Sequence, residues 1–226
     1  MDIKLFYTEK GTGFPLILLH GNGEEHGYFE HQIEFFSKFY RVIAVDTRGH
    51  GKSPRGEKPF TISQFADDLY EFMLEHSINK AHILGFSDGG NIALKFVLKY
   101  PEFVEKLILN GANLDPSGVK KSAQIPIEIG YRIASFFAKK SEKAQLNAEM
   151  LGLMVNDPFI VSEDLKQIKS ETLVIAGSND LILEEHSRLI SDKIHNSKLV
   201  ILKGDHFIAS KNPLAFNKEI KEFLDQ

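Results

Sequence analysis

Ser87 is the residue most suited to chemistry in this chain. It lies in Gly85-Phe86-Ser87-Asp88-Gly89, a Gly-x-Ser-x-Gly pattern. The apolar run Ala81-His82-Ile83-Leu84 leads in, and Asn91 to Tyr100 leads out with the character of a helix. A strand, a sharp turn with the serine at its tip and a helix would strain the serine backbone. Side chains on its neighbours would collide with strand and helix, which is a reason for glycine at both flanks. The helix N-terminus beneath the serine would offer free N–H groups and the positive end of a dipole. Taken alone, the pattern also fits a glycine-rich turn before a packed helix.

A serine hydroxyl attacks a carbonyl only when a base takes its proton, and a histidine held by a carboxylate is such a base. Downstream of Ser87 stand His186, His195 and His206. His206, in Lys203-Gly204-Asp205-His206-Phe207, follows the last strand-like run, where a loop can reach the serine. His186 and His195 fall on or beside a polar-faced helix and read as solvated. For the carboxylate, Asp180 in Gly177-Ser178-Asn179-Asp180 follows a strand, and Asp115 follows the preceding one and competes with it. Asp205 adjoins the histidine, and a neighbour in sequence cannot readily orient that ring. The oxyanion formed on attack needs N–H donors. The N–H of Asp88 is one; the other comes from the loop His20-Gly21-Asn22-Gly23, with Asn22 first and Gly23 second. No phosphate-binding or metal-ligand spacing is present, and the absence of cysteine excludes disulfides, thiolate metal sites and a cysteine nucleophile.

Strands and helices must bring these residues together. Ile3 to Tyr7 is β-prone, and Glu9 to Gly13 reads as a turn. Pro15-Leu16-Ile17-Leu18-Leu19 and Arg41 to Val45 read as buried strands, and Ala81 to Leu84, Lys106 to Asn110, Thr172 to Ala176 and Lys198 to Leu202 as further strands. Helical spacing separates them: Phe29, Ile33 and Phe36; then Ile62, Phe65, Leu69 and Phe72 behind the capping box Thr61-Ile62-Ser63-Gln64. Pro213 suits the first turn of a final helix containing Phe216, Ile220 and Phe223. The alternation predicts an α/β fold, a mostly parallel twisted sheet with helices on both faces, whose ligands sit at the carboxyl ends of the strands. His20, Asp46, Ser87 and Asn110 fall there, as do the residues after Ala176 and Leu202. From about Asn113 to Lys169 the alternation fails, and Ile125 to Phe137 and Lys143 to Met154 look helical and apolar. This predicts a helical cap, 113–169, inserted into a core of 1–112 and 170–226; two extra core helices are the alternative.

At 226 residues, 42% hydrophobic and 26% charged, the chain can bury one sizeable core. A net charge of −4 gives no reason to expect nucleic acid or an anionic membrane as partner. No apolar run reaches the ~18 residues of a membrane span, and the N-terminus lacks the marks of a signal peptide. A cytoplasmic protein is expected, as monomer or homodimer.

With these residues in hand, the chain resembles the α/β-hydrolase superfamily. The resemblance rests on His20-Gly21-Asn22-Gly23, Asp46-Thr47-Arg48-Gly49-His50-Gly51-Lys52-Ser53, Gly85-Phe86-Ser87-Asp88-Gly89-Gly90, Gly177-Ser178-Asn179-Asp180 and Gly204-Asp205-His206, and covers nearly everything outside the cap. It implies that Gly85 to Gly89 is the nucleophile elbow, since Ser, acid and His follow in the family's order. It also implies a catalytic triad of Ser87, Asp180 and His206, and an oxyanion hole from Asn22 and Asp88. The Asp46 to Ser53 segment, His50 included, would brace the site. The family's usual first strand is short or missing here, and the cap is shorter than in many relatives.

The expected activity is hydrolysis of a small carboxylic ester by a serine hydrolase through an acyl-enzyme, with no cofactor. Amino-acid ester, thioester and C–C bond hydrolysis, perhydrolysis, and ligand reception without catalysis are the rival expectations. Asp88, expected at the mouth of the site, either pairs with a substrate ammonium group or simply stabilises its helix. Tyr131, Phe136 and Met154 are candidate substrate contacts from the cap, along with Ile129, Ile133, Phe137, Leu151 and Leu153, or else they pack cap against core.

Overall fold

The computed structural model describes residues 2–226. Seven strands form one sheet: β1 (Tyr7–Lys10), β2 (Pro15–Leu19), β3 (Arg41–Val45), β4 (Ala81–Phe86), β5 (Val104–Asn110), β6 (Glu171–Asn179) and β7 (Ser197–Asp205). Their order across the sheet is β1-β3-β2-β4-β5-β6-β7. Only β1 runs antiparallel; every other neighbouring pair is parallel. β4, which ends one residue before Ser87, is therefore the central strand.

The apolar runs at β2, β3 and β4 are strands buried on both faces, and their side chains divide by parity. Leu16, Leu18, Val42, Ala44 and Leu84 point to one layer, with Phe29, Phe36, Phe216 and Ile220 from the helices that cover it. Ile17, Leu19, Ile43, Val45 and Ile83 point to the other, with Phe65, Leu69, Ile92 and Phe96. The first layer holds α1 (Glu30–Phe36). The second holds α2 (Ile62–Glu75) and α3 (Asp88–Lys99), which leaves the tip of β4. As the capping-box pattern predicts, the Thr61 hydroxyl accepts from Gln64 N–H at 3.1 Å.

At the N-terminus the expectation fails. The strand is Tyr7–Lys10, not Ile3 to Tyr7, so Glu9 and Lys10 belong to a strand rather than a turn. Ile3 and Leu5 are instead buried beside the apolar face of α2. The polar edge residues pair with β3, helped by an Arg41 guanidinium that donates to Glu9 at 2.8 Å.

Between β5 and β6 the chain forms α4 (Lys121–Phe137) and α5 (Glu142–Asn156) and adds no strand to the sheet. The Gln124 amide donates to the Met154 carbonyl at 3.3 Å, tying the two helices. After β6 come α6 (Glu184–Lys193), then β7, the single-turn α7 (Ile208–Lys211) and α8 (Pro213–Leu224), whose first residue is the expected proline.

Candidate active site

Ser87 has φ +53° and ψ −120°, a backbone state costly for any residue with a side chain. The turn closes only because its flanks are glycine. A Cβ on Gly85 would lie 2.3 Å from the Gly89 carbonyl oxygen, and one on Gly89 would lie 2.0 Å from that of Leu19. Strand and helix are thus in backbone contact at the two positions that sequence reasoning singled out. Ser87 N–H donates to the Asn110 carbonyl at 2.8 Å, anchoring the turn to the end of β5.

His206 Nε2 lies 3.0 Å from Ser87 Oγ, and its Nδ1 lies 2.6 Å from Asp180 Oδ1. Both residues are buried. Asp180 also accepts from the Gly177 and Ile182 N–H groups at 3.1 and 3.0 Å. Burial by itself would raise its pKa. The His206 bond, then the two backbone donors, outweigh that and hold the carboxyl below the usual carboxylate range. Sequence reasoning missed Gly111, at φ +62°. A Cβ there would sit 2.7 Å from His206 Cε1, so a larger residue would push the ring out of line. Phe86 packs a tilted ring 4.8 Å from that of His206.

The competing acid is elsewhere. Asp115 caps a single turn at Pro116–Gly118 by accepting from Ser117 N–H at 2.8 Å. Asp205 accepts from Phe207 N–H at 2.9 Å and pairs with Lys211. His195 is exposed, as expected. His186 is half-buried rather than free in solvent: its Nε2 accepts from Leu114 N–H at 2.9 Å, and it props the segment that leaves β5. That long-range bond left no trace in the polar run around it.

The loop after β2 reaches the serine. A Cβ on Gly21 would lie 3.2 Å from Ser87 Cβ. His20 sets this loop: its Nε2 accepts from Thr47 N–H at 3.0 Å, and Nδ1 lies 2.7 Å from the Gly21 carbonyl oxygen, to which it donates. Burial, then the neighbouring His50, depress its pKa to about 4, so the ring is neutral. Asp88 opens α3, so its N–H has no acceptor within the helix. The Asp46 to Ser53 segment closes on itself and on its surroundings. Asp46 accepts from His26 N–H at 2.7 Å and Lys52 N–H at 2.9 Å, and the Ser53 hydroxyl donates to the Asp46 carbonyl at 2.7 Å. His50 is buried within it, Nδ1 being 3.0 Å from the Arg48 carbonyl. Glu25, His26 and Asp46 also cluster, their ligand atoms within 4.8 Å of one another, yet Asp46 is already occupied by these donors.

Asp88 does not sit at an open mouth. It is buried, accepting from the amides of Asn22 at 2.8 Å and Asn91 at 3.2 Å. Burial, opposed by the Asn22 and Asn91 bonds, raises its pKa. Asn22 donates to the Met150 carbonyl as well, and Asn91 bonds Asn113. The Asp88–Asn91 spacing of three residues on one helix was a readable sign of this network. Beside Ser87, Asp88 and His206 lies a cavity of about 60 Å³, also lined by Asn91, Gln124, Met154 and Asp157.

Of the expected cap contacts, Met154 lines this cavity. Tyr131 does not: it faces a separate cleft of about 330 Å³ with Phe60 and Gly152. Phe136 is 80% exposed and packs edge-on against Phe137. Both were expected inside because they are aromatic on an apolar helix. Gln124, Ile127 and Ala134 hold the inward face of α4, and Phe136 falls outside it. Asp157, which nothing in the sequence marked, borders both the cleft and the Ser87 cavity. Burial, followed by Lys95 acting against it, leaves its pKa raised to about 6.

Residues 15–131 match the family model described as alpha/beta hydrolase fold. The serine hydrolase BPHL of Homo sapiens is 27% identical over 246 residues, spanning 98% of this chain and 83% of that protein. Among solved structures, a meta-cleavage product hydrolase of Pseudomonas fluorescens matches with a TM-score of 0.80 and 27% identity, over 99% of this chain and 94% of that one. A thermophilic esterase of Thermogutta terrifontis matches with a TM-score of 0.82 and 25% identity, over 99% and 93%.

Proposed function

Since this chain belongs to the alpha/beta hydrolase fold family, we propose that it is a serine hydrolase that cleaves a small carboxylic ester through an acyl-enzyme. The observation that carries the reading is the line Ser87 Oγ, His206, Asp180, with gaps of 3.0 and 2.6 Å on a strained turn. Ser87 Oγ attacks the carbonyl carbon while His206 Nε2 takes its proton, and Asp180 holds Nδ1–H so that Nε2 remains the acceptor. The carbonyl π electrons move to oxygen, which the N–H groups of Asn22 and Asp88 stabilise. Collapse of that oxyanion expels the alkoxide, protonated by His206. Water, deprotonated by the same ring, then releases the acid and restores Ser87. No cofactor enters these steps. Segment 113–169 acts as a cap, and the ~60 Å³ cavity beneath it suits a short acyl group.

The test is a panel of p-nitrophenyl esters of increasing acyl length, beside acyl-CoA, with wild type and Ser87→Ala, and labelling by a fluorophosphonate probe. Short esters are expected to turn over fastest, and Ser87→Ala to abolish both turnover and labelling. Folded wild-type protein that neither labels nor turns over any ester would refute catalysis and favour a ligand receptor. Preference for acyl-CoA would favour a thioesterase.

A second reading is hydrolysis of an amino-acid ester. Two carboxylates, Asp88 and Asp157, line the cavity, and the buried Gln124 Oε1 there has no hydrogen-bond partner. Such a set of acceptors suits an ammonium group on the acyl side.

A further inference from the structure

The outward face of α4 carries a stripe of apolar side chains open to solvent, over which, among the described residues, Lys140 lays its Nζ 4.2 Å from the Phe137 ring centroid. Ile125, Ile129, Ile133 and Phe136 recur at spacings of four, four and three residues and are each more than half exposed, with Phe137 at 40% beside them. Such spacing places them on one side of the helix. Five side chains of this size expose on the order of 500 Å², the upper range for a largest surface patch. The same segment is strongly basic. Residues 120–143 hold Lys120, Lys121, Arg132, Lys139, Lys140 and Lys143 against Glu128 and Glu142, a net +4 in a chain of net −4, which leaves −8 for the rest. Among the described residues none of these six cations pairs with a carboxylate, whereas ion pairs cover much of the remaining surface. The overall charge therefore hides a local one.

We propose that α4 docks flat on an anionic lipid surface, its isoleucines and Phe136 entering the headgroup boundary and its lysines meeting the lipid phosphates. An apolar stripe flanked by lysine and arginine is the pattern of a helix lying in a membrane interface. Both ends of the helix are basic, so a second copy laid antiparallel would set lysines against lysines. A nucleic acid would use the charges and leave the stripe in water. A protein groove would take the same outward stripe, since Gln124, Ile127 and Ala134 hold only the inward face, but it would leave unmatched the six cations that lipid phosphates would meet. A flat surface needs only the outer face. No helix among the described residues is long and apolar enough to cross a membrane, so the attachment is peripheral.

The experiment is flotation of the full chain with vesicles of phosphatidylcholine and with vesicles in which about a third of the lipid is phosphatidylglycerol. Binding is expected to the anionic vesicles only. It should weaken sharply at about 1 M salt, where the screening length falls to about 3 Å. Each basic residue near an anionic leaflet contributes roughly a fivefold factor, so replacing Lys139 and Lys140 by serine should weaken binding about 25-fold. Ile129→Ser with Ile133→Ser should weaken it more than tenfold, with hydrolysis of a soluble ester unchanged. Absence of flotation, or equal flotation with neutral vesicles, would overturn the proposal. So would a concentration-dependent dimer in sedimentation velocity that the isoleucine substitutions dissolve, since a second copy would then cover the stripe.

Discussion

Asp180→Asn is the substitution that tests the site most sharply, because the structure shows what the amide must break. Asp180 Oδ1 accepts from both His206 Nδ1 and Ile182 N–H, and Oδ2 accepts from Gly177 N–H. Asparagine has one oxygen. If that oxygen takes the Oδ1 place, its NH₂ faces the Gly177 N–H, donor against donor. If it takes the Oδ2 place, its NH₂ faces Ile182 N–H and the His206 ring, and Nδ1 must become the acceptor. The proton then moves to Nε2, which can no longer receive one from Ser87. Loss of a buried pairing costs about 1–3 kcal/mol, and a chain of this size loses roughly 2–4 °C of Tm per kcal/mol. Catalysis suffers more. In either arrangement the imidazolium formed during attack loses its anionic partner, and in the second the tautomer is wrong as well; this substitution in a serine triad lowers kcat by about 10⁴, a barrier increase of about 5 kcal/mol. Asp180→Asn should therefore fold, melt a few degrees lower, and hydrolyse a p-nitrophenyl ester about 10⁴-fold more slowly with KM nearly unchanged. Asp115→Asn, in the turn that follows the neighbouring strand β5, should change kcat less than twofold. A folded Asp180→Asn protein retaining more than a tenth of the wild-type kcat would refute the assignment of Asp180, and a large loss in Asp115→Asn would transfer the role.

Two further outcomes follow from the carboxylates around Ser87. If the cavity takes an ammonium group, Asp88→Asn and Asp157→Asn should each lower kcat/KM for amino-acid esters at least tenfold more than for neutral esters, since hydrogen bonds to charged groups are worth about 1.5–3 kcal/mol; equal losses on both would leave Asp88 as a support for Asn22 alone. Glu24 has a partly buried carboxyl whose Oε2 has no hydrogen-bond partner, and burial, opposed by the Gly21 N–H and His206, raises its pKa to about 7. Raised in the folded state, it is neutral there below that value while the unfolded chain ionises from about 4.5, so its ionisation destabilises the fold progressively between those limits and fully above about 7. Glu24→Gln should therefore raise Tm at pH 8 and leave it unchanged at pH 4; a uniform shift at both would show that charge is not the cause.

What could be read in the sequence divides along a physical line. β2, β3 and β4 announced themselves because a strand covered on both faces must be apolar throughout, and the residues at their ends are polar by contrast. The turn at Ser87 was readable because its strain leaves only glycine at 85 and 89. Asp180 was findable because it follows such a strand, β6, and His206 because it follows the apolar run of β7, which lies at the sheet edge and is only partly buried. The losses lie where a residue's neighbours come from distant parts of the chain. Ile3 and Leu5 alternate as a strand would, yet a place beside α2 was open to them, and the polar Tyr7–Lys10 took the sheet edge instead. His186 sits among charged residues and is set by a backbone N–H 72 positions earlier. Asp157 borders the Ser87 cavity only because α5 ends there. For α4 the error has another form. Apolar residues on a helix were expected to face inward, but Ile127 and Gln124 already occupy the inner face, and a helix has only one. Ile129, Ile133 and Phe136 are thus left facing solvent beside lysines with no carboxylate partner among the described residues, and an apolar stripe of this size in water marks a surface for something to cover.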